Sequence, residues 1–362
     1  MSAFMWPGQK PTATTARARR SGRRGASQPS RASKRGRNGR GIIFSAPLIS
    51  IVIPVLNGGS ELERCLDAIR DQRLDDRFEV VVIDSASTDA SVATARGRGA
   101  RVLEIPRAQF NHGATRNLGA AAAEGEILVF TSQDAHAADP EWLERLTRPL
   151  RDDERLAGVY GRQIAHPDAR PAERFFLDFL YGPAPRRQAA TAARELSVET
   201  TMFSNANAAI RRSVWERFPF ADDMIMSEDQ EWAARVLLAG YSLAYVPEAA
   251  VRHSHPYTLG SAFSRFFDSG VSSERAYLAG SAPAAAALRR RARRYASEEL
   301  RWLWRNGMRA QIPATAAYEL TKFAALTLGS RHRLLPRALK RRLSAMPTYW
   351  DTTPTGGAPT RG

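Results

Sequence analysis

Four runs of consecutive apolar residues, each followed by a polar turn and an amphipathic stretch, set the pattern after residue 46. Residues 48–54, 78–84, 101–105 and 126–131 read as strands buried on both faces, because aliphatic side chains continue without polar alternation. Asn57, Gly58, Gly59 and Ser60 make a turn after the first run, and a helix is expected from there through Gln72. The second run ends on Asp84, and the polar residues 85–89 lead into the next helix with Asp89 as its expected N-cap. A helix around 114–123 joins the third run to the fourth. Strands alternating with helices at this spacing predict an α/β fold whose sheet is mainly parallel, with right-handed crossovers.

After a helix at 142–150 the pattern loosens. Residues 158–161 and 201–203 read as short strands, and 183–194 between them as a mobile loop. Ser227 is expected to cap a helix that runs to Leu238 and stops at Gly240, with a further strand at 241–246. From Leu259 to about Leu343 the chain reads as helical and rich in Ala, Arg, Leu and Trp. The expected organisation is a basic tail at 1–46, an α/β domain at 47–257, a basic helical region at 258–350 and a short tail at 351–362. Both tails are expected to be disordered, since they hold few large apolar residues.

Charge changes the picture of partners. The 362 residues carry a net +16, yet residues 1–40 hold 11 Lys and Arg with no Asp or Glu, and residues 284–345 hold 15 against three Glu. The body between is net acidic, so the overall charge says little about the catalytic part. The single cysteine, Cys65, sits in an amphipathic pattern and reads as core filler; one cysteine forms no internal disulfide, which suits a reducing cytoplasm. No apolar run approaches the roughly 20 residues of a membrane span. Arg19-Arg20 and Arg23-Arg24 are followed by no apolar stretch, so an export signal is not expected.

Carboxylates carry the candidate chemistry. Asp84 falls at the carboxyl end of a strand, where open α/β sheets bind ligands, and with Ser87 it offers acceptors to a base or ribose. Asp134, after the fourth strand, suits a divalent cation on a diphosphate. His112 and Arg116 lie at a helix start that favours anions. Glu228 and Asp229 open a helix, where one of them suits a general base, although carboxylates also gain there from the helix dipole. His253 and His255 follow the last strand. On an extended segment their side chains face opposite ways, so one of the two is expected to join Asp134.

These residues resemble something known. The segments Ile51-Val52-Ile53-Pro54-Val55-x-Asn57, Val82-Ile83-Asp84-Ser85-x-Ser87-x-Asp89, the Asp134 turn, Asn205-x-Asn207-x-Ala209-Ile210-Arg211-Arg212 and Ser227-Glu228-Asp229 come in the order of family 2 glycosyltransferases. The resemblance covers roughly residues 47–257. Phe110-Asn111-His112-Gly113-x-Thr115-Arg116-Asn117, Ser132-Gln133-Asp134-Ala135 and His253-Ser254-His255 are similar, more narrowly, to bacterial rhamnosyltransferases that use dTDP-L-rhamnose. It implies a GT-A fold, a mixed and mainly parallel sheet flanked by helices, here with a C-terminal helical extension. It also implies inverting transfer from a nucleotide-sugar. Pro54, Asn57, Asp84 and Ser87 would border the nucleotide, with His112, Arg116, Gln133 and Asp134 near the donor. Asp229 would be the base with Glu228 beside it, and Asn205 and Asn207 would lie near sugar and acceptor. Asp134 matches the last Asp of the family's DxD and would hold Mg²⁺ or Mn²⁺. Ser132 replaces the first Asp, which leaves three alternatives: weak metal affinity, compensation by His253 or His255 as ligand, or a metal-independent variant that uses Arg116 and His112.

The implied acceptor is a growing glycan or a lipid-linked saccharide in cell-envelope polysaccharide synthesis. Trp and Leu interleaved with Arg at 288–305 fit an anionic membrane surface, hence a peripheral enzyme on the inner membrane face. A UDP- or GDP-sugar donor keeps the same fold. A nucleic-acid-binding protein is the rival from another class, but the charge lies in terminal segments and no nucleic-acid motif stands out. No G-x-G-x-x-G follows the first strand, which counts against a nicotinamide dehydrogenase.

Overall fold

A computed structural model describes residues 49–278 and 282–352. The expected tail at 1–46 and residues 353–362 of the second lie outside the described residues. In chain order the elements are β1 (Ile49–Val55), α1 (Gly59–Arg70), β2 (Phe78–Asp84), α2 (Ser91–Gly97), β3 (Arg101–Glu104), α3 (His112–Ala122), β4 (Ile127–Thr131) and β5 (His136–Ala137). There follow α4 (Trp142–Asp152), β6 (Leu156–Ile164), α5 (Pro171–Leu180), β7 (Arg186–Gln188), β8 (Asn207–Arg211), α6 (Arg212–Arg217), α7 (Glu228–Leu238) and β9 (Ser242–Arg252). The rest is helical: α8 (Leu259–Ser273), α9 (Ala282–Arg305), α10 (Ile312–Ser330), α11 (Arg337–Leu343) and α12 (Tyr349–Thr352).

The strands form one mixed sheet in the order β3-β2-β1-β4-β8-β6-β9-β5, with β7 also on β9. The half that runs β3-β2-β1-β4 is parallel, as the alternating pattern predicts. β8 enters antiparallel between β4 and β6, while β9 lies parallel to β6. Pleating sends Val52, Val81, Ile83, Leu128 and Phe130 into one core and Ile51, Ile53, Val82, Ile127 and Val129 into the other. Helices α1 and α4 cover the second face with Leu62, Cys65, Trp142 and Leu146, and α7 covers the first with Trp232 and Val236. Burial on both sides is the physical reason the runs of β1 and β4 carry no polar alternation, whereas β3, at the sheet edge, exposes Arg101 and Glu104. Cys65 is core, as expected.

Several local expectations are corrected. Residues 201–203 form no strand; the strand of this region is β8, and its first residue, Asn207, is fully buried. The expected loop at 183–194 contains β7. Ser227 does not cap α7: it adopts φ +61° and its side chain makes no capping bond. Asp89 lies one place before the N-cap of α2, where it accepts from Ser91 N (3.0 Å) and from Gly59 N (3.1 Å), tying the α2 entry to α1.

Helix α8 packs against α10 at a close crossing. A Cβ on Gly329 would stand 2.1 Å from the Phe267 carbonyl oxygen, and one on Gly270 would stand 2.4 Å from that of Leu326. Phe267, Ala325 and Trp350 from the helices meet Ile225 and Met226, just before α7, in a third apolar cluster.

Candidate active site

Three loops leave the carboxyl ends of β1, β2 and β4 side by side, and side-chain hydrogen bonds bind them together. Asn57, held at φ +48°, donates from its backbone N to Ser87 Oγ (2.8 Å) and accepts from Thr88 N (2.8 Å). Asn is among the few residues that tolerate that conformation. Gln133 spans from the β4 loop to β1, accepting from Leu56 N (2.8 Å) and donating to Leu56 O (3.2 Å). Both ends of its amide therefore hold the loop in shape. Asp84 is almost wholly buried; Oδ2 accepts from Ser87 N (2.9 Å), while Oδ1 is buried with no partner. A buried carboxylate oxygen without a partner is costly unless a ligand supplies a donor. Pro54 is half-buried at the end of β1, one residue from the Val55–Asp84 pair.

Asp134 follows β4 and meets both histidines. Its Oδ1 lies 3.5 Å from His253 Nε2 and its Oδ2 3.4 Å from His255 Nδ1. The expectation that only one histidine reaches Asp134 is corrected: β9 ends at Arg252, so strict alternation has lapsed, and the two rings stand 4.6 Å apart at 83°. One potential ligand atom from each of the three residues falls within 4.8 Å of the others. His253 Nδ1 pairs with Gln163 Oε1 (2.7 Å), and Glu173 accepts from His255 N (2.5 Å). Burial works to raise the Asp134 carboxyl, but the bond to His253 and the nearby imidazoles outweigh it and hold it far below the usual range. A carboxylate and two imidazoles, one oriented from behind by Gln163, fit a divalent cation.

The second cluster joins α3 to α7. Arg116 Nη1 donates to Glu228 Oε1 (2.7 Å) and to the His112 carbonyl (3.2 Å), and both side chains of the ion pair are buried. Asn111 caps α3, accepting from Gly113 and Ala114 N, and donates to Met224 O (2.8 Å), which pins the approach to α7. Asn205 Nδ2 donates to Glu228 (3.2 Å), and its backbone N donates to Asp229 Oδ2 (3.1 Å). Asp229 Oδ1 accepts from Gln230 N (2.8 Å). Burial, and then the Glu228 charge, push the Asp229 carboxyl up; burial also opposes ionisation of Glu228, but Arg116 and His112 bring it down. His112 is pushed down to about 4 by burial, so its ring is neutral at physiological pH.

One side chain joins the clusters. Gln163 Oε1 accepts from His253 Nδ1 (2.7 Å), and its Nε2 donates to Ser204 Oγ (2.9 Å) and Tyr181 OH (2.6 Å). Asn205, next in the chain, holds Asp229. Hydrogen bonds and chain neighbours thus link Asp84, Asp134 and Asp229 in one network. Asn207 is the exception among the expected residues. It has no exposure, and its amide donates to Arg162 O (3.1 Å) and Ala249 O (2.8 Å) and accepts from Trp142 Nε1 (2.9 Å). The expected contact with acceptor is corrected for this residue, because its amide is spent on binding β8, β6, β9 and α4 to one another. Sequence reasoning missed Gln163, Glu173 and Arg265. Arg265 on α8 is exposed, bonds to Met226 Sδ, and its charge bears on both His112 and His255. No pattern in an amphipathic helix marks such a residue.

A parallel α/β half-sheet, acidic strand ends, a group of Asp134 and two histidines that fits a cation, and a half-buried carboxylate raised toward neutrality at a helix start suit group transfer on a nucleotide-linked substrate. Comparison makes the class specific. The profile described as Glycosyl transferase family 2 matches residues 50–218. The chain is 33% identical over 312 residues to the O-antigen chain rhamnosyltransferase RfbN of Salmonella typhimurium, covering 84% of this chain and 96% of that protein. It is 32% identical over 313 residues to the O-antigen chain rhamnosyltransferase WbaN of Salmonella anatum, with the same coverage. A mannosyltransferase of Pyrobaculum calidifontis, solved with GDP-Man and Mn2+, aligns over 85% of this chain and 86% of its own at 20% identity and a TM-score of 0.49. The chain belongs to glycosyl transferase family 2 and is a glycosyltransferase.

Proposed function

We propose that the enzyme transfers L-rhamnose, with inversion, from a nucleotide-diphosphate donor to a glycan or lipid-linked saccharide in cell-envelope polysaccharide synthesis. The observation that carries the mechanism is Asp229: half-buried at the start of α7, held by Asn205 N, and pushed toward neutrality by burial and by Glu228. The rhamnosyltransferase relatives, matched over 84% of the chain, support the sugar.

In this reading Asp229 takes the proton from an acceptor hydroxyl as that oxygen attacks the anomeric carbon, on the face opposite the diphosphate. Glu228, neutralised by Arg116, keeps the helix start in place without itself titrating near neutrality. Asp84 Oδ1, the buried oxygen with no partner, accepts from the base or a ribose hydroxyl, with Pro54 and Asn57 beside it and Ser87 fixing the loop. Asn205 Oδ1, also buried without a partner, faces a sugar hydroxyl, and neutral His112 bonds the sugar. Asp134, His253 and His255 would hold Mg²⁺ or Mn²⁺, which supplies positive charge to the leaving diphosphate. The exposed guanidinium of Arg265 meets the same phosphates. The histidines take the place of the family's first DxD carboxylate, here Ser132, and Gln133 shapes the loop between.

The finer organisation belongs to the same reading: a catalytic domain over 47–257, a helical region from 258, and work at the inner membrane face against an anionic surface. Among the described residues no helix is long and apolar enough to cross a membrane.

Purified enzyme offered dTDP-L-rhamnose, UDP-glucose, UDP-galactose and GDP-mannose is expected to hydrolyse or transfer from the first in preference. Asp229→Asn should lower turnover about 10²–10⁴-fold while leaving donor affinity unchanged. Wild-type turnover in that variant overturns the base assignment, and preference for a UDP- or GDP-sugar overturns the rhamnose donor.

A further inference from the structure

Helix α10 is built inside out. Its charged residues, Glu319 and Lys322, point inward and pair at 2.9 Å, with Lys322 almost wholly buried. The Lys322 ammonium lies over the rings of Phe176 (4.4 Å), Phe266 (5.0 Å) and Tyr295 (5.1 Å). The same inward stripe carries Thr315, Ala325 and Gly329, all buried. A half-turn away stand Pro313, Ala317, Leu320 and Ala324, with Phe323 at the edge, all exposed. Leu320 is 69% exposed and Phe323 63%. This outer face holds no charged residue over about three turns, roughly 17 Å. A helix facing only water has the opposite arrangement.

The ends of that face are different. Before α10 come Arg301, Arg305 and Arg309, all exposed, with Arg309 stacked 3.8 Å from the ring centre of exposed Trp304. After it come Arg331 and the exposed Leu334, while Arg333 pairs with Glu274 at 3.2 Å. An apolar strip bounded at both ends by guanidinium groups, with an indole at one rim, is the chemistry of a helix lying in a headgroup layer. The charges also weigh against a second copy of this chain as the occupant. A two-fold contact across α10 would bring arginine-bearing ends toward one another.

We propose that the outer face of α10 seats the enzyme on an anionic bilayer, Leu320 and Phe323 entering the acyl–headgroup boundary while the flanking arginines meet lipid phosphates. This deepens the membrane reading above by assigning it a surface, and it is independent of donor and sugar. Neither Leu320 nor Phe323 belongs to the catalytic cluster, so their replacement leaves the chemistry intact.

The test is flotation of the full chain with vesicles of phosphatidylglycerol and phosphatidylethanolamine, set against vesicles of phosphatidylcholine alone. Wild type is expected to float with the first and not the second. The double variant Leu320→Glu/Phe323→Glu should lose about tenfold or more in vesicle partition. It should keep the wild-type melting temperature and donor hydrolysis, which excludes misfolding. Wild type that stays at the bottom overturns membrane attachment altogether. A double variant that floats like wild type overturns the α10 face and leaves binding to the basic segments. A wild-type dimer in sedimentation equilibrium that the double variant converts to monomer, with vesicle partition unchanged, assigns the face to a second copy and also overturns the proposal. Loss of donor preference with flotation intact would count against the rhamnose reading alone.

Discussion

Glu228 and Asp229 are consecutive, yet their surroundings drive their carboxyl groups in opposite directions. Glu228 finds a buried guanidinium and ionises easily, whereas for Asp229 burial and its neighbour's negative charge outweigh the two backbone amides that favour its ionised form. Such divergence separates a structural carboxylate from one that exchanges protons. Burial and the Glu228 charge push the Asp229 carboxyl up toward neutrality, and only its ionised form accepts a proton, so kcat/KM is expected to climb as pH rises through neutrality and to level above it. A steady-state pH profile from 5 to 9 checks this; a rate independent of pH over that range speaks against Asp229 as base. The residues proposed to carry the chemistry, Asp84, Asp134, Asp229, His253 and Arg116, are recognisable in the sequence because they fall at strand ends and helix starts. Gln163, Glu173 and Arg265 are not, because each acts through where a side chain is aimed across the fold. Asn207 shows the converse: a motif names the residue type, but only packing decides that its amide faces Trp142 and Ala249.

At the scale of elements, the parallel strands are plain in the sequence because burial on both faces leaves unbroken apolar runs. β8 is not, since Asn207–Arg211 is short and begins and ends with polar side chains whose partners are remote. The α8–α10 crossing depends on two glycines, and Gly329→Ala is expected to cost about 1–3 kcal/mol by forcing the helices apart. Chemical denaturation measures it; unchanged stability would mean that the crossing shifts freely. Beneath α10, burial and then Glu319 push Glu299 up to about 8. A carboxyl raised on folding lends stability that is complete below its unfolded value, near 4.5, and is lost as pH rises through about 8. The melting temperature of wild type should therefore decline between pH 5 and 9. Glu299→Gln should flatten that decline, and an identical slope in the variant would assign it elsewhere.

For the whole molecule, the sequence separates an α/β part from a helical part by composition, and the change near residue 258 coincides with the start of α8. It gives no sign that the two share an apolar cluster, because Ile225, Met226, Phe267, Ala325 and Trp350 are scattered over more than a hundred residues. A chain ending at residue 257 uncovers Ile225 and Met226. It is expected to show no cooperative melting transition by circular dichroism, and a sharp transition would establish the catalytic part as self-sufficient. The helices also latch the approach to the base: Tyr349 OH donates to the Asp223 carbonyl (3.1 Å), and Trp350 packs beside Met226. The far C-terminal helix therefore helps to fix the segment that leads into α7, while α7 itself is held to the sheet by Trp232 and Val236.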